Sequence, residues 1–257
     1  WSPGVRTGVR PGSEYHLTEY FGPILGVMTA DTLEEAIALQ NQIDYGLTSG
    51  LHSLDPAEMD LWLENISAGN LYINRGITGA IVQRQPFGGW KKSAVGAGTK
   101  AGGPNYLMGL GTWEPATATG SGSRVRHQGA AKLLAAAGSN SFTADTGFLQ
   151  RALGSDAAAW AEEFGTTQDV SALSAERNVF RYRPLPVTIR LSENEPLDAL
   201  VRVAAAGLLA GSTLRISTGV ELPLALRAVL TEQGIPVTEE NDAEWLASAA
   251  AFDPAVQ

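Results

Sequence analysis

The 257-residue sequence contains no cysteine, which excludes disulfides, thiolate metal sites and any thiol nucleophile supplied by these residues. Histidine is nearly as scarce: His16, His52 and His127 are scattered, and no His-x-x-x-His pair exists for zinc. No run of about 18 apolar residues appears, so no transmembrane helix is written here. The opening WSPGVRTGVRPGSEY has neither the basic nor the apolar region of a secretion signal. A basic arm is also missing. Asp and Glu outnumber Lys and Arg 11 to 7 before residue 124 and 16 to 11 after it, so the net charge of −9 is spread along the chain and argues against nucleic acid as a partner. No G-x-G-x-x-G is present to seat a pyrophosphate on a helix N-terminus.

What is there suits a globular protein with a core: 44% hydrophobic residues and a mean hydropathy of −0.03. Glycine divides the chain, since 20 of the 29 glycines precede position 124 and alanine-rich helical text follows. The stretch TATGSGSR reads as a linker. The expected organisation is a domain over 1–115, a linker over 116–125 and a second domain over 126–257. The start at Trp1, in glycine-rich text like a domain interior, leads us to expect a piece of something longer.

Local patterns alternate strand and helix. PILGVMTA has strand length; TLEEAIALQNQI carries apolar residues near helical spacing, with Thr32 as cap and Glu35 three residues on. YGLTSGLHSLD reads as turn and strand, PAEMDLWLENI as a helix opened by Asp55 with Pro56 in its first turn, and GNLYINRG as a strand. In the second part PVTIRLS, STLRIST and IPVTEE are strands. Between them lie two helices, one running from Pro196 to Gly211 and one closed by Gly234. The fold class expected is α/β with mostly parallel strands, the second part resembling half of a doubly wound sheet.

Four motifs in fixed order, TEYFGPILGV, NQIDYGLTSGLHS, GNLYINRG and QPFGGWKKSAVG, resemble the carboxyl-terminal third of an aldehyde dehydrogenase catalytic domain. The text TGA before QPFGG and KAGGPNYL after it resembles one branch more closely: the L-glutamate γ-semialdehyde (pyrroline-5-carboxylate) dehydrogenases, including that module of proline utilisation A proteins. The likeness covers about the first 113 residues.

The resemblance implies NAD as cofactor. Glu19 and Phe21 would hold it, the carboxylate accepting hydrogen bonds from the nicotinamide ribose and the ring lying near the nicotinamide. Thr78, Gly79 and Ala80 correspond to the loop whose backbone N–H groups bind the substrate α-carboxylate, and Phe87 to part of the wall beside its aliphatic chain. Taken singly, each has a plainer reading: Glu19 as a solvated charge, Phe21 and Phe87 as core aromatics, Gly79 as a turn. Gly88, Gly89, Gly96, Gly98, Gly102 and Gly103 are expected to serve tight turns and close packing, Asn74 to be structural, and Lys91, Lys92 and Lys100 to solvate their loop rather than steer a substrate.

In the family a thiolate attacks the aldehyde, an oxyanion hole holds the adduct and hydride passes to NAD+. Without a cysteine this chain cannot do that alone; the nucleophile, the general base and the NAD-binding domain lie upstream of these motifs in the family. The chain is therefore expected to be inactive by itself and to depend on upstream segments, with no catalytic residue and no metal site of its own. A small-molecule aldehyde substrate, a homo-oligomer and a cytoplasmic setting are implied by the same likeness.

Residues after 180 resemble an aldehyde dehydrogenase cofactor domain, with Asn194 and Pro196 on the family's Asn and Pro. Ser192 and Glu193 stand where the family has Pro-Trp, however, and Ser217 where a Lys contacts the adenosine ribose. The second part is expected to be a non-catalytic Rossmann-like domain.

Overall fold

The computed structural model describes residues 1–81, 84–96, 98–114, 125–139 and 145–250, so most of the expected linker lies outside the described residues. Two units emerge. Among the described residues, the first comprises residues 1–113 together with 169–179; the second comprises those of 114–168 and 180–250.

In the first unit, β1 (Gly4–Arg6) precedes a short helix α1 (Glu14–Leu17) and β2 (Ile24–Gly26); β1 and β2 pair in parallel. Helix α2 (Leu33–Asn41) starts as its sequence dictates: Thr32 Oγ1 accepts from the N–H of Glu35 at 3.2 Å, and the Glu35 carboxylate accepts from the N–H of Asp31 at 2.7 Å. After β3 (Tyr45–Gly46) and β4 (Thr48–Leu51) comes α3 (Pro56–Asn65), whose cap Asp55 accepts from the N–H of Ala57 at 2.8 Å. Strand β5 (Asn70–Ile73) pairs in parallel with β4, and β6 (Trp90–Lys91) pairs antiparallel with β3. Ile37 of α2, Trp62 of α3 and Ile66 form a small core, closed by half-buried Leu33, Leu51 and Leu71. A single 3₁₀ turn follows at Tyr106–Gly109.

The second unit opens with α4 (Gln128–Ala137) and α5 (Thr146–Ala159), the latter running into a π turn at Trp160–Phe164. Then β7 (Val187–Leu191), α6 (Leu197–Leu209), β8 (Leu214–Thr218), α7 (Leu224–Glu232) and β9 (Val237–Glu239) alternate, and α8 (Asp242–Ala250) ends the described chain. The three strands form a parallel sheet in the order β7-β8-β9. Helix α6 buries Leu200, Val201, Ala204 and Ala205, two adjacent positions repeated one turn apart, which is the stripe a helix lays on a sheet. Leu133, Leu149, Val201 and Leu230 lose all solvent contact in one continuous core.

The α/β class and the strand-helix order follow the sequence. Two expectations change. Of PILGVMTA only Ile24–Gly26 forms a strand, since among the described residues it pairs with the equally short and exposed β1 alone. The second part is also not one unbroken unit over 126–257. An antiparallel bridge between Gln168 and Phe180 closes the neck of a loop whose residues 169–179 belong to the first unit.

Candidate functional site

The glycine-rich segment after β5 is held by a knot of polar groups. Asn70, buried on β5, donates from Nδ2 to the carbonyl of Pro86 at 3.1 Å, and its Oδ1 accepts from the N–H of Gly88 at 3.1 Å. Lys100 Nζ donates to the carbonyls of Gly69 at 2.6 Å and Gly88 at 2.5 Å, and to Asn70 Oδ1 at 3.3 Å. A side chain at position 69 would begin 2.0 Å from the Gly88 carbonyl oxygen, so glycine is required there by close approach of two backbones. Phe87 and Ala101 exchange both backbone hydrogen bonds at 2.9 and 2.8 Å, which ties the two ends of this segment together.

The lysines therefore differ from expectation. Lys100 is a half-buried tie, and that burial pushes its ammonium pKa down to about 8. Lys91 donates to the carbonyls of Asn41 and Ile43 at 2.7 and 2.9 Å, closing the end of α2; burial lowers its pKa and nearby Asp44 opposes that. Lys92 alone keeps an exposed position, in an ion pair with Asp44 at 2.5 Å. The expectation failed because the acceptors are carbonyls distant in sequence, which no local pattern announces. Asn74 is structural as expected: at φ 57° its amide exchanges hydrogen bonds with the backbone of Ser53 at 3.0 and 2.7 Å.

Between Asn74 and this knot runs the loop containing Thr78, Gly79 and Ala80, all exposed. Gly79 has φ +83°, a left-handed conformation that favours glycine, and nothing lies within 4 Å of where its side chain would start. Among the described residues the N–H groups of Thr78, Gly79 and Ala80 donate to no protein acceptor. Three successive exposed donors are what an anion's oxygens need. The loop's shape is set from behind. With its amide oriented to suit its neighbours, Gln85 donates to the Gly79 carbonyl at 3.1 Å and accepts from Arg75 Nη1 at 2.7 Å. Arg75 in turn lies over the Tyr72 ring, 5.1 Å from its centre.

Glu19 and Phe21 stand just past α1. Both are exposed, Phe21 at 95%, and among the described residues the Glu19 carboxylate has no hydrogen-bond partner. Neither lines the adjacent hollow of about 270 Å³, which is walled by Tyr15, His16, Thr18, Tyr20 and Ile24. Tyr15 stacks on Tyr20 with ring centres 5.4 Å apart. Phe87, expected beside the substrate, is 37% exposed. Sequence reasoning missed Gln85, Arg75 and Asn70, since an amide or guanidinium acting on a distant backbone leaves no motif.

In the second unit the carboxyl edge of the sheet, where ligands of open α/β sheets bind, is filled by side chains. Ser217, 3% exposed, donates to Glu240 at 2.6 Å and accepts from Arg190 Nη1 at 2.7 Å. Arg190 also donates to the Glu240 carbonyl at 3.0 Å and pairs with Asp242 at 2.5 Å, which holds that carboxyl below its usual range. Among the described residues no cluster of three or more His, Asp or Glu could hold a metal, and no helix is long and apolar enough to cross a membrane.

Residues 1–110 match the family model described as the aldehyde dehydrogenase family. Over 106 residues the chain is 42% identical to a 1-pyrroline-5-carboxylate dehydrogenase of Geobacillus sp. (strain WCH70) and 43% identical to one of Bacillus subtilis (strain 168). Each alignment takes in 41% of this chain and 20% of the relative, so the chain spans about a fifth of those proteins. Among solved structures, Proline Utilization A from Corynebacterium freiburgense superposes with a TM-score of 0.74 at 45% identity, covering 93% of this chain and 25% of that one. That alignment extends well into the second unit.

Proposed function

We propose, from the match of residues 1–110 to the aldehyde dehydrogenase family model, that this chain is the carboxyl-terminal portion of an NAD-dependent L-glutamate γ-semialdehyde dehydrogenase of proline catabolism. The observation that carries the substrate reading is the row of N–H groups at Thr78, Gly79 and Ala80 that meet no acceptor among the described residues, on exposed residues and beside the left-handed Gly79. Such a row suits the α-carboxylate of the semialdehyde, and Phe87 borders the aliphatic chain. The 1-pyrroline-5-carboxylate dehydrogenase names of the relatives support this reading.

Glu19 and Phe21 fit the cofactor role, because an unpartnered carboxylate and an exposed ring are free to meet a ribose and a nicotinamide. When bound, NAD+ accepts the hydride. Glu19 would hold it through the ribose hydroxyls, Phe21 would lie against the nicotinamide, and the loop at 78–80 would hold the carboxylate end of the substrate. The thiol nucleophile and general base come from segments outside this chain, which has no cysteine. Exposed apolar residues on the β1–β2 pair, Val5 at 68% and Leu25 at 61%, are what further layers of such an enzyme would cover. The second unit is read as non-catalytic, since the polar plug around Arg190 and Ser217 occupies the edge a dinucleotide would need. A homo-oligomer and a cytoplasmic setting belong to the same proposal.

The test is NADH formation by the intact parent protein with glutamate γ-semialdehyde and succinate semialdehyde in parallel. A marked preference for the first is expected, with Gly79→Val raising its KM and Glu19→Ala lowering kcat. Equal use of both aldehydes would discard the anchor at 78–80; turnover of neither by a folded parent would leave a structural or assembly module in place of an enzyme.

A further inference from the structure

The loop holding Thr78, Gly79 and Ala80 has an arginine on either side. Arg75 precedes it, and Arg84 follows on a turn in which the N–H groups of Arg84 and Gln85 donate to the Ile81 carbonyl at 3.1 and 2.8 Å. Both arginines meet one carboxylate, that of Glu176: Arg75 Nη1 lies 3.7 Å from one oxygen and Arg84 Nη1 lies 3.3 Å from the other. Glu176 lies outside residues 1–110, on the loop 169–179 that returns to the first unit.

That returning loop is built to hold a shape. Asp169 Oδ1 accepts from the Ser171 hydroxyl at 2.8 Å and from the N–H groups of Ala172 and Ser171 at 3.0 and 3.1 Å. Its Oδ2 accepts from the N–H of Asn178 at 2.9 Å. These bonds, that of the Ser171 hydroxyl foremost, hold the Asp169 carboxyl below its usual range. Asn178, buried, donates to the Ser171 hydroxyl at 3.0 Å and to Glu176 at 3.3 Å, so the Glu176 carboxylate is aimed by its own loop.

From this we infer that Glu176 is a positioning residue for the loop at 78–80: by bridging Arg75 and Arg84 it pins both ends of that loop, and through Arg75 and Gln85 it fixes the Gly79 carbonyl. The inference rests on the reading of that loop as the carboxylate anchor. The physical logic is local. Without Glu176 two like charges flank a short loop with nothing between them; they separate, Arg75 leaves Gln85, and the peptide plane of Gly79 is free to turn. The anion's donors then lose their fixed direction. Glu176 acts on binding of the carboxylate end and not on the reacting carbon, so its effect falls on KM and leaves kcat in place.

The test is steady-state kinetics of the intact parent carrying Glu176→Gln, beside Gly79→Val, with glutamate γ-semialdehyde and with propanal, which has no carboxylate. Glu176 is half-exposed and Gln keeps its size, so the fold is retained. The expected result is a KM for the semialdehyde raised about three- to tenfold, kcat within about twofold, and an unchanged KM for propanal. Added salt should raise the wild-type KM toward that of the variant, whose own KM should move less. A raised KM in Gly79→Val beside an unchanged one in Glu176→Gln overturns the role of Glu176 and leaves the anchor standing. No change in either variant overturns the anchor and the positioning role together. Equal losses on both substrates mark a general loss of structure and also overturn it.

Discussion

The two units solve the problem of burial in different ways. The second encloses a continuous core on one sheet, with Leu133, Leu149, Val201 and Leu230 out of solvent entirely. The first gathers a core around Ile37, Trp62 and Ile66 and leaves its β1–β2 pair open, with Val5 at 68% and Leu25 at 61% exposure. Where apolar packing is thin, polar ties replace it: Asn70, Lys91 and Lys100 hold loops through backbone carbonyls. The lesson is that the first unit is a surface held in shape, suited to presenting loops to a ligand, and the second a domain stabilised in the ordinary hydrophobic way.

Separating the two is the strongest way to break this comparison. Residues 125–250 produced alone, which keep the loop 169–179, should melt in one cooperative transition followed by circular dichroism, whereas residues 1–114 alone, which lack that loop, should melt broadly and bind a hydrophobic dye. A sharp melt of the shorter piece would refute the contrast. Next in size, Leu230→Ala should cost the second unit about 2–5 kcal/mol in urea unfolding, and Trp62→Ala should leave that unit's transition where it is.

A smaller effect sharpens the polar side. Lys100→Met strands the carbonyls of Gly69 and Gly88 and should cost about 1–3 kcal/mol. Its pH signature has a definite sign. Burial depresses the native Lys100 to about 8 from an ordinary 10.5, so between those values the unfolded chain binds more protons and wild-type stability rises with pH. Below about 8 both states are protonated and this term is flat. Unfolding midpoints from pH 7 to 10 should therefore show the wild type gaining on Lys100→Met; parallel curves would mean that Lys100 titrates normally. Smallest of all, Lys92→Ala should shift the midpoint by no more than about 0.5 kcal/mol, because its pair with Asp44 is exposed.

Much of the architecture was legible because it is written locally. Thr32 with Glu35, and Asp55 with Pro56, announce α2 and α3 by chemistry that acts within one turn. The Pro196 and Gly211 marks bracket α6 for the same reason, Gly211 taking φ +73° just past its end. The proposed site was legible as motif text, yet its supports were not. Lys100 reaches a carbonyl 31 residues away, and Arg84 meets a carboxylate 92 residues on. No spacing rule connects such positions, and a lysine tying backbone reads like one dissolved in solvent.

By itself the sequence determined the α/β class, the order of strands and helices, and the absence of a thiol nucleophile, since periodicity, caps and composition need no knowledge of the fold. Only the tertiary structure decided that Lys91 and Lys100 are ties, that Ser217 is locked beneath Arg190, and that residues 169–179 return to the first unit. Each of these depends on which distant backbone or charge arrives beside a residue, and only chain folding settles that.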